Sequence, residues 1–140
     1  MDPAPACKAL TIVLVDDEAS FRTSLAEMLR DDGHEVLAYP APAAIPPLHT
    51  LGRVELLLTD YEMPETNGLI LADSFHAQHP TVPILLATAY RTGLDAELAR
   101  RPFLRLVQKP IPYETLHRLI HECAVTPPTS DSGPIGDGVR

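Results

Sequence analysis

Leu56-Leu57-Leu58-Thr59-Asp60-Tyr61-Glu62-Met63-Pro64-Glu65-Thr66-Asn67-Gly68 is the stretch that decides the fold. Its opening apolar run is unbroken, too short for a typical helix, and ends in an acid followed by turn-forming residues. A strand buried on both faces suits that pattern. Asp60 then stands at the strand's carboxyl end, the edge of an open α/β sheet where ligands bind. Capping of the strand is the plainer role for one acid, so neighbouring strands must decide between the two.

Upstream, Ala9-Leu10-Thr11-Ile12-Val13-Leu14-Val15 is a second apolar run, stopping at Asp16-Asp17-Glu18. Adjacent side chains on a continuing strand point to opposite faces, so Asp16 and Asp17 converge on one site only if the strand turns there. Phe21, Leu25, Met28 and Leu29 recur at helical spacing between about Ala19 and Asp32, with Gly33 as a stop. His34 to Tyr39 reads as an edge strand. Between Ala41 and Leu51, Pro46 and Pro47 would break a helix interior, which predicts a distorted or very short helix.

Downstream, Leu69, Leu71, Ala72 and Phe75 give an amphipathic helix ending near His79-Pro80, and Val82 to Thr88 gives a strand ending in a hydroxyl. A less regular helix is expected over Gly93 to Arg100. Phe103 to Val107 follows as a fifth strand, ending just before Lys109-Pro110, and Glu114 to Cys123 as a last helix. From Thr126 the composition turns to Pro, Gly, Ser, Thr and Asp, which predicts a disordered tail. The expected organisation is an N-terminal tail over 1–7, one domain over 8–124 and a C-terminal tail over 125–140. Strand and helix alternate, so the class is α/β with a parallel sheet. Four strands then deliver reactive groups to one edge: Asp16 with Asp17, Asp60, Thr88 and Lys109.

Composition excludes several function classes. A formal net charge of −8 opposes attraction to nucleic acid phosphates and to anionic membranes. No apolar run has membrane-spanning length and the first residues lack signal-peptide blocks, which predicts a cytoplasmic protein. The two cysteines, Cys7 and Cys123, make no metal spacing and read as reduced thiols. His117 and His121 share a helix face but lack a third ligand, so a solvated face is the better account.

The chain resembles the receiver domain of bacterial response regulators. The resemblance runs from about Lys8 to Cys123. It rests on Val13-Leu14-Val15-Asp16-Asp17-Glu18, on Asp60 with Met63-Pro64 and Asn67-Gly68, and on Thr88-Ala89 and Lys109-Pro110. It implies a doubly wound, flavodoxin-like five-stranded sheet of order 2-1-3-4-5 and a cis Lys109-Pro110 bond. It also implies that a sensor histidine kinase or histidine phosphotransfer protein passes a phosphoryl group to Asp60 with Mg²⁺. Asp17 and Asp60 would bind the metal directly, Asp16 through water, and the Glu62 carbonyl would complete the set. Lys109 and Thr88 would hold phosphoryl oxygens, helped by backbone at Glu62 and Ala89.

By the same resemblance, residues 93–123 form the surface for a downstream partner or a phosphorylation-dependent homodimer. The domain would phosphorylate itself and turn over slowly, without being an enzyme in the ordinary sense. The family's aromatic switch position holds Leu106 here, and Tyr90 or Phe103 are the aromatic substitutes in reach by sequence. Glu62 and Tyr90 are expected to set the phosphoryl lifetime by obstructing or orienting water. Phe21 belongs either to the core or to a kinase-docking face. Two other classes compete: a phosphate-independent interaction module, which Leu106 favours, and an aspartate-nucleophile hydrolase of the haloacid dehalogenase type. The hydrolase motif needs an Asp where Glu62 stands.

Overall fold

The structure is a computed structural model that describes residues 9–64, 66–89 and 93–125. Its elements run β1 (Thr11–Val15), α1 (Ala19–Asp31), β2 (Glu35–Tyr39), β3 (Leu56–Asp60), β4 (Glu62–Met63), β5 (Thr66–Asn67), α2 (Gly68–Gln78), β6 (Ile84–Thr88), α3 (Asp95–Ala99), β7 (Leu104–Gln108) and α4 (Tyr113–Val125). The main sheet is parallel with order β2-β1-β3-β6-β7, which is 2-1-3-4-5 when only its own strands are counted. The order reverses between β1 and β3, and the carboxyl ends of these strands form the crevice where such sheets bind ligands.

Alternation along the strands divides the core in two. Ile12, Leu14, Leu56, Leu58 and Leu85 pack with α1 and α4 on one face, while Val13, Val15, Leu57, Ile84 and Leu86 pack with α2 on the other. Both faces of the central strands are covered, which explains why β3 and β6 are buried along their whole length and apolar up to their polar carboxyl ends, Thr59-Asp60 and Thr88. Pro83 precedes β6, where its carbonyl accepts from Leu57 N at 3.1 Å and its missing N–H costs nothing. His34, buried just before β2, has its imidazole pushed below the ordinary histidine value chiefly by burial, and its Nδ1 accepts from Leu10 N at 2.9 Å.

The connecting elements refine the sequence patterns in detail. The crossover from β2 to β3 contains two single-turn 3₁₀ pieces, Pro42–Ala44 and Leu48–Thr50, the very short helical structure expected there, divided by Pro46 and Pro47. These pieces cannot fill a helix's volume. They leave a cleft of about 430 Å³ whose walls include Pro42, Pro47, Leu48, Ile70 and Ser74, with Ile70 itself 60% exposed. The helix expected over Gly93 to Arg100 shrinks to five residues, Asp95–Ala99, and Gly93 takes a positive φ of 95° that a helix cannot continue through. The loop after Asp60 is a two-stranded antiparallel hairpin pairing Glu62 with Asn67 and Met63 with Thr66. The Lys109–Pro110 peptide is cis. Among the described residues no helix is long and apolar enough to cross a membrane.

Candidate phosphoacceptor pocket

The strand register gathers the chemistry. Val15 lies beside Thr59, so the next residues, Asp16 and Asp60, become neighbours across the sheet. Asp60 pairs with Ala87 and Thr88 with Gln108, which brings Lys109 to the same edge. Lys109 is fastened there by its N–H donating to the Thr88 carbonyl at 2.8 Å. Asp16 and Asp60 are 1% and 6% exposed, and Thr88 is fully buried. Asp17 is exposed, and one carboxylate oxygen from each of Asp16, Asp17 and Asp60 lies within 4.8 Å of the other two.

The strand does turn after Val15, and the hydrogen bonds show how. Asp16 N donates to the Tyr39 carbonyl at 3.1 Å, while Asp16 Oδ1 accepts from Glu18 N at 2.9 Å, bending the chain into α1. Arg22 returns from the first turn of α1 to donate from Nη1 to the Asp16 carbonyl at 2.7 Å. One positive group serves the cluster from inside. Lys109 Nζ stands 3.1 Å from Asp16 Oδ2 and 3.2 Å from Asp60 Oδ1. The contact with Asp16 is a hydrogen bond. The contact with Asp60 is electrostatic, because no donor among the described residues is aligned on that oxygen.

Charges follow from this geometry. Burial, and next the Asp16 carboxylate, push Asp60 above the usual carboxylate range, and Lys109 pulls it back only in part. Burial works against the Lys109 ammonium, but Asp16 and Asp60 outweigh it and hold Lys109 above the ordinary lysine value. Three carboxylates against one lysine leave a net anionic site. Its donors are hard oxygens and one of them, Asp60 Oδ1, lacks a hydrogen bond, which fits a small divalent cation such as Mg²⁺.

Asn67 and Gly68 have a mechanical part in placing Asp60. Asn67 Oδ1 caps α2 by accepting from Leu69 N at 2.9 Å and Ile70 N at 3.1 Å. Gly68 N donates to the Tyr61 carbonyl at 2.8 Å, and a Cβ on Gly68 would overlap the Asp60 backbone carbonyl and the Leu86 side chain. Only hydrogen fits where α2 starts against β3. Gly68→Ala is expected to lower stability by about 2 kcal/mol, the usual scale of overpacking at a site whose neighbour is backbone. Urea denaturation measures it, and an unchanged midpoint would contradict this close approach.

Glu62 is exposed in the hairpin, Met63 is buried beneath it, and Ala89 follows Thr88 at the rim. Tyr90 lies outside the described residues. Leu106 pairs with Leu86 and is half-buried against the α2 face. Phe103 is no substitute for an aromatic ring there. It precedes Leu104, which pairs with Ile84 at the far end of the sheet, and its ring stacks on His76 of α2 at 3.7 Å between centroids. The sequence pattern left Phe21 and Arg22 without a place in the pocket, yet both border it. Lys109 Nζ lies 4.3 Å from the centre of the Phe21 ring. The only signal for either was proximity to Asp16-Asp17.

An acid-lined cup at the carboxyl edge of a 2-1-3-4-5 sheet, with a buried hydroxyl and a lysine beside it, defines a class of single-site phosphoacceptor domains. The comparisons with known proteins identify the family. Residues 12–121 match the model of the response regulator receiver domain, and the chain belongs to that family. FleR of Pseudomonas aeruginosa, a response regulator, is 28% identical over 130 residues, covering 91% of this chain and 28% of FleR. The chain thus spans less than a third of the length of that relative. The receiver domain of the hybrid histidine kinase CckA is 26% identical with a TM-score of 0.66, over 80% of this chain and 96% of that one. The response regulator TrrA of Thermotoga maritima, solved in complex with Mg(2+)-BeF, is 26% identical with a TM-score of 0.70, over 81% of this chain and 97% of that one.

Proposed function

We propose that this receiver domain takes a phosphoryl group onto Asp60 from a phosphohistidine of a sensor kinase or phosphotransfer protein. The observation carrying this is Asp60 itself: a buried carboxylate at the strand edge, with an oxygen lacking an aligned donor and a lysine 3.2 Å away. A carboxylate oxygen attacks phosphorus, the bond from phosphorus to its donor breaks, and the donor leaves with that bond's electrons. Asp17, Asp60 and the Glu62 carbonyl would hold Mg²⁺, which would neutralise charge between the two anions. Asp16, whose two carboxylate oxygens each accept one hydrogen bond, from Glu18 N and Lys109 Nζ, would act on the ion through water, as the family resemblance implies.

Lys109 and the Thr88 hydroxyl receive phosphoryl oxygens, with backbone at Glu62 and Ala89. A loose transition state needs positioning and opposite charge more than a base, which suits a pocket with no histidine among its described residues. The new group brings roughly −1.5 to −2 charges, enough to draw Thr88 inward and bias the surface over residues 93–123 toward a partner or a second copy. We take 8–124 as the working domain, the cytoplasm as its compartment, and protein contact rather than nucleic acid or membrane binding as its output. The interaction-module alternative has Leu106 in its favour, but the acids, hydroxyl and lysine are all in register.

Intact-mass analysis after incubation with Mg²⁺ and acetyl phosphate tests the proposal. One phosphoryl increment, abolished by chelator and reversed by hydroxylamine as an acyl phosphate must be, is the expected result. No increment, or one that resists hydroxylamine, would reject it. Glu62, exposed two residues past Asp60, would orient the attacking water. Glu62→Asn is therefore expected to slow dephosphorylation about threefold, a small share of what a buried general base contributes. Equal decay rates for wild type and variant remove that role.

A further inference from the structure

We propose that Phe21 is a positioning residue for Lys109, its ring face holding the ammonium against the acid corner before the phosphoryl group arrives. This rests on Asp60 as acceptor. A lysine ammonium is a compact charge on a flexible four-carbon stem, so the pocket must restrict it if it is to stand in one place. On one side Lys109 Nζ meets Asp16 Oδ2 at 3.1 Å and Asp60 Oδ1 at 3.2 Å. The Phe21 ring, centred 4.3 Å from Nζ, supplies a further contact. An aromatic face carries partial negative charge and attracts a cation, most strongly where water is excluded. The Lys109 side chain is only 19% exposed.

Phe21 is itself held in register with the acids. Glu18 N donates to Asp16 Oδ1 at 2.9 Å, Arg22 N to the Glu18 carbonyl at 2.9 Å, and Arg22 Nη1 to the Asp16 carbonyl at 2.7 Å. The first turn of α1 and the Asp16 corner thus form one unit, with the ring projecting from it. The ring also packs, partly buried, against the α1 and α4 core. A leucine would satisfy that packing. Only an aromatic residue also offers a face to the cation.

In transfer from an acyl phosphate, the bond from Asp60 oxygen to phosphorus forms as the bond from phosphorus to the acyl oxygen breaks, and a carboxylate departs with no proton moved. During this step Lys109 must pass from the two acids to a phosphoryl oxygen. A ring that confines the ammonium to the pocket mouth shortens that passage and removes the alternatives in which the stem swings into solvent.

Phe21→Leu and Phe21→Tyr, alone and combined with Lys109→Met, test the inference with two readouts. The first needs no phosphorylation. In NMR spectra the Lys109 ε-methylene is expected to be shifted upfield by the ring in wild type and Phe21→Tyr, and to lose that shift in Phe21→Leu. An unshifted wild-type methylene, or the same shift in Phe21→Leu, overturns the contact. The second is the rate of labelling by acetyl phosphate with Mg²⁺. Phe21→Leu should be about fivefold slower, the scale of one such contact, and Phe21→Tyr close to wild type. In the Lys109→Met background Phe21→Leu should cost nothing more. A full fivefold loss that persists there shows the ring acting on something other than the lysine and overturns the proposal. A wild type that carries the ring shift yet takes no label instead refutes Asp60 as acceptor and leaves the contact standing.

Discussion

Asp60→Asn is expected to abolish phosphoryl uptake and, in magnesium-free buffer at neutral pH, to raise the melting temperature. The first outcome follows from chemistry, because an amide cannot form the acyl phosphate. The second follows from the fold. Asp60 is buried beside Asp16, and its folded-state pKa lies above the usual carboxylate range, with burial the main cause. A carboxyl shifted that way stabilises the fold while protonated and loses that contribution as pH rises through its folded-state value. At neutral pH the ionised Asp60 is therefore a cost, and a neutral amide of the same shape removes it. The gain should be a few degrees, on the order of 2–5 °C, the scale of about 1 kcal/mol in a domain this size. It should shrink as the buffer is taken toward about pH 4, where the wild-type acid begins to protonate in the unfolded chain as well. Mg²⁺ should stabilise wild type and have little effect on the variant. Differential scanning calorimetry with and without the ion reads all three, and a variant less stable than wild type without metal would contradict the charge balance assigned to the pocket.

Lys109→Met should have the opposite sign in stability. It keeps the length and the apolar stem but leaves three carboxylates without their internal cation, which is expected to cost about 2 kcal/mol in magnesium-free buffer. Added Mg²⁺ should recover much of that loss, since a divalent ion meets the same negative charge. Labelling by acetyl phosphate should not recover. Losing one preorganised positive group at a site of developing charge costs on the order of 10²-fold in rate, and neutralising the acids does not replace a donor to the phosphoryl oxygens. Rescue of both stability and rate by Mg²⁺ would mean that Lys109 serves only to neutralise the acids. Comparison with Lys109→Arg, which keeps the charge in a different shape, separates charge from placement.

The sheet and most of the pocket are legible in the sequence because apolar runs that stop at reactive residues carry a long-range statement. Once the strands are parallel, Val15, Thr59, Ala87 and Gln108 must end near one another, and the groups beside them have no other place to go. What the sequence leaves open is which member of a pair turns inward. Asp16 and Asp17 are equivalent as letters, and hydrogen bonds from Glu18 N and Lys109 Nζ bury the first of them. The hairpin over 62–67 escapes notice because two-residue strands have no periodicity to detect. Gly93 looks like an ordinary helix start in the sequence, and its positive φ shortens α3. Phe21 meets Lys109 only because the first turn of α1 folds back onto Asp16, a contact no local pattern encodes.

The crossover between β2 and β3 divides the domain's labour. Its two 3₁₀ pieces are each closed by a pair of short-range bonds, Ala44 N to Ala41 O and Ile45 N to Pro42 O in one, Thr50 N to Pro47 O and Leu51 N to Leu48 O in the other. Such a segment can unfasten without dragging a long cooperative ladder with it. The acids and the lysine hang from β1, β3 and β7, and the two 3₁₀ pieces supply none of the pocket's carboxylates, hydroxyl or ammonium. A tolerant margin therefore lies alongside a stringent centre, leaving one side of the molecule free to drift in sequence while the other is held to its chemistry.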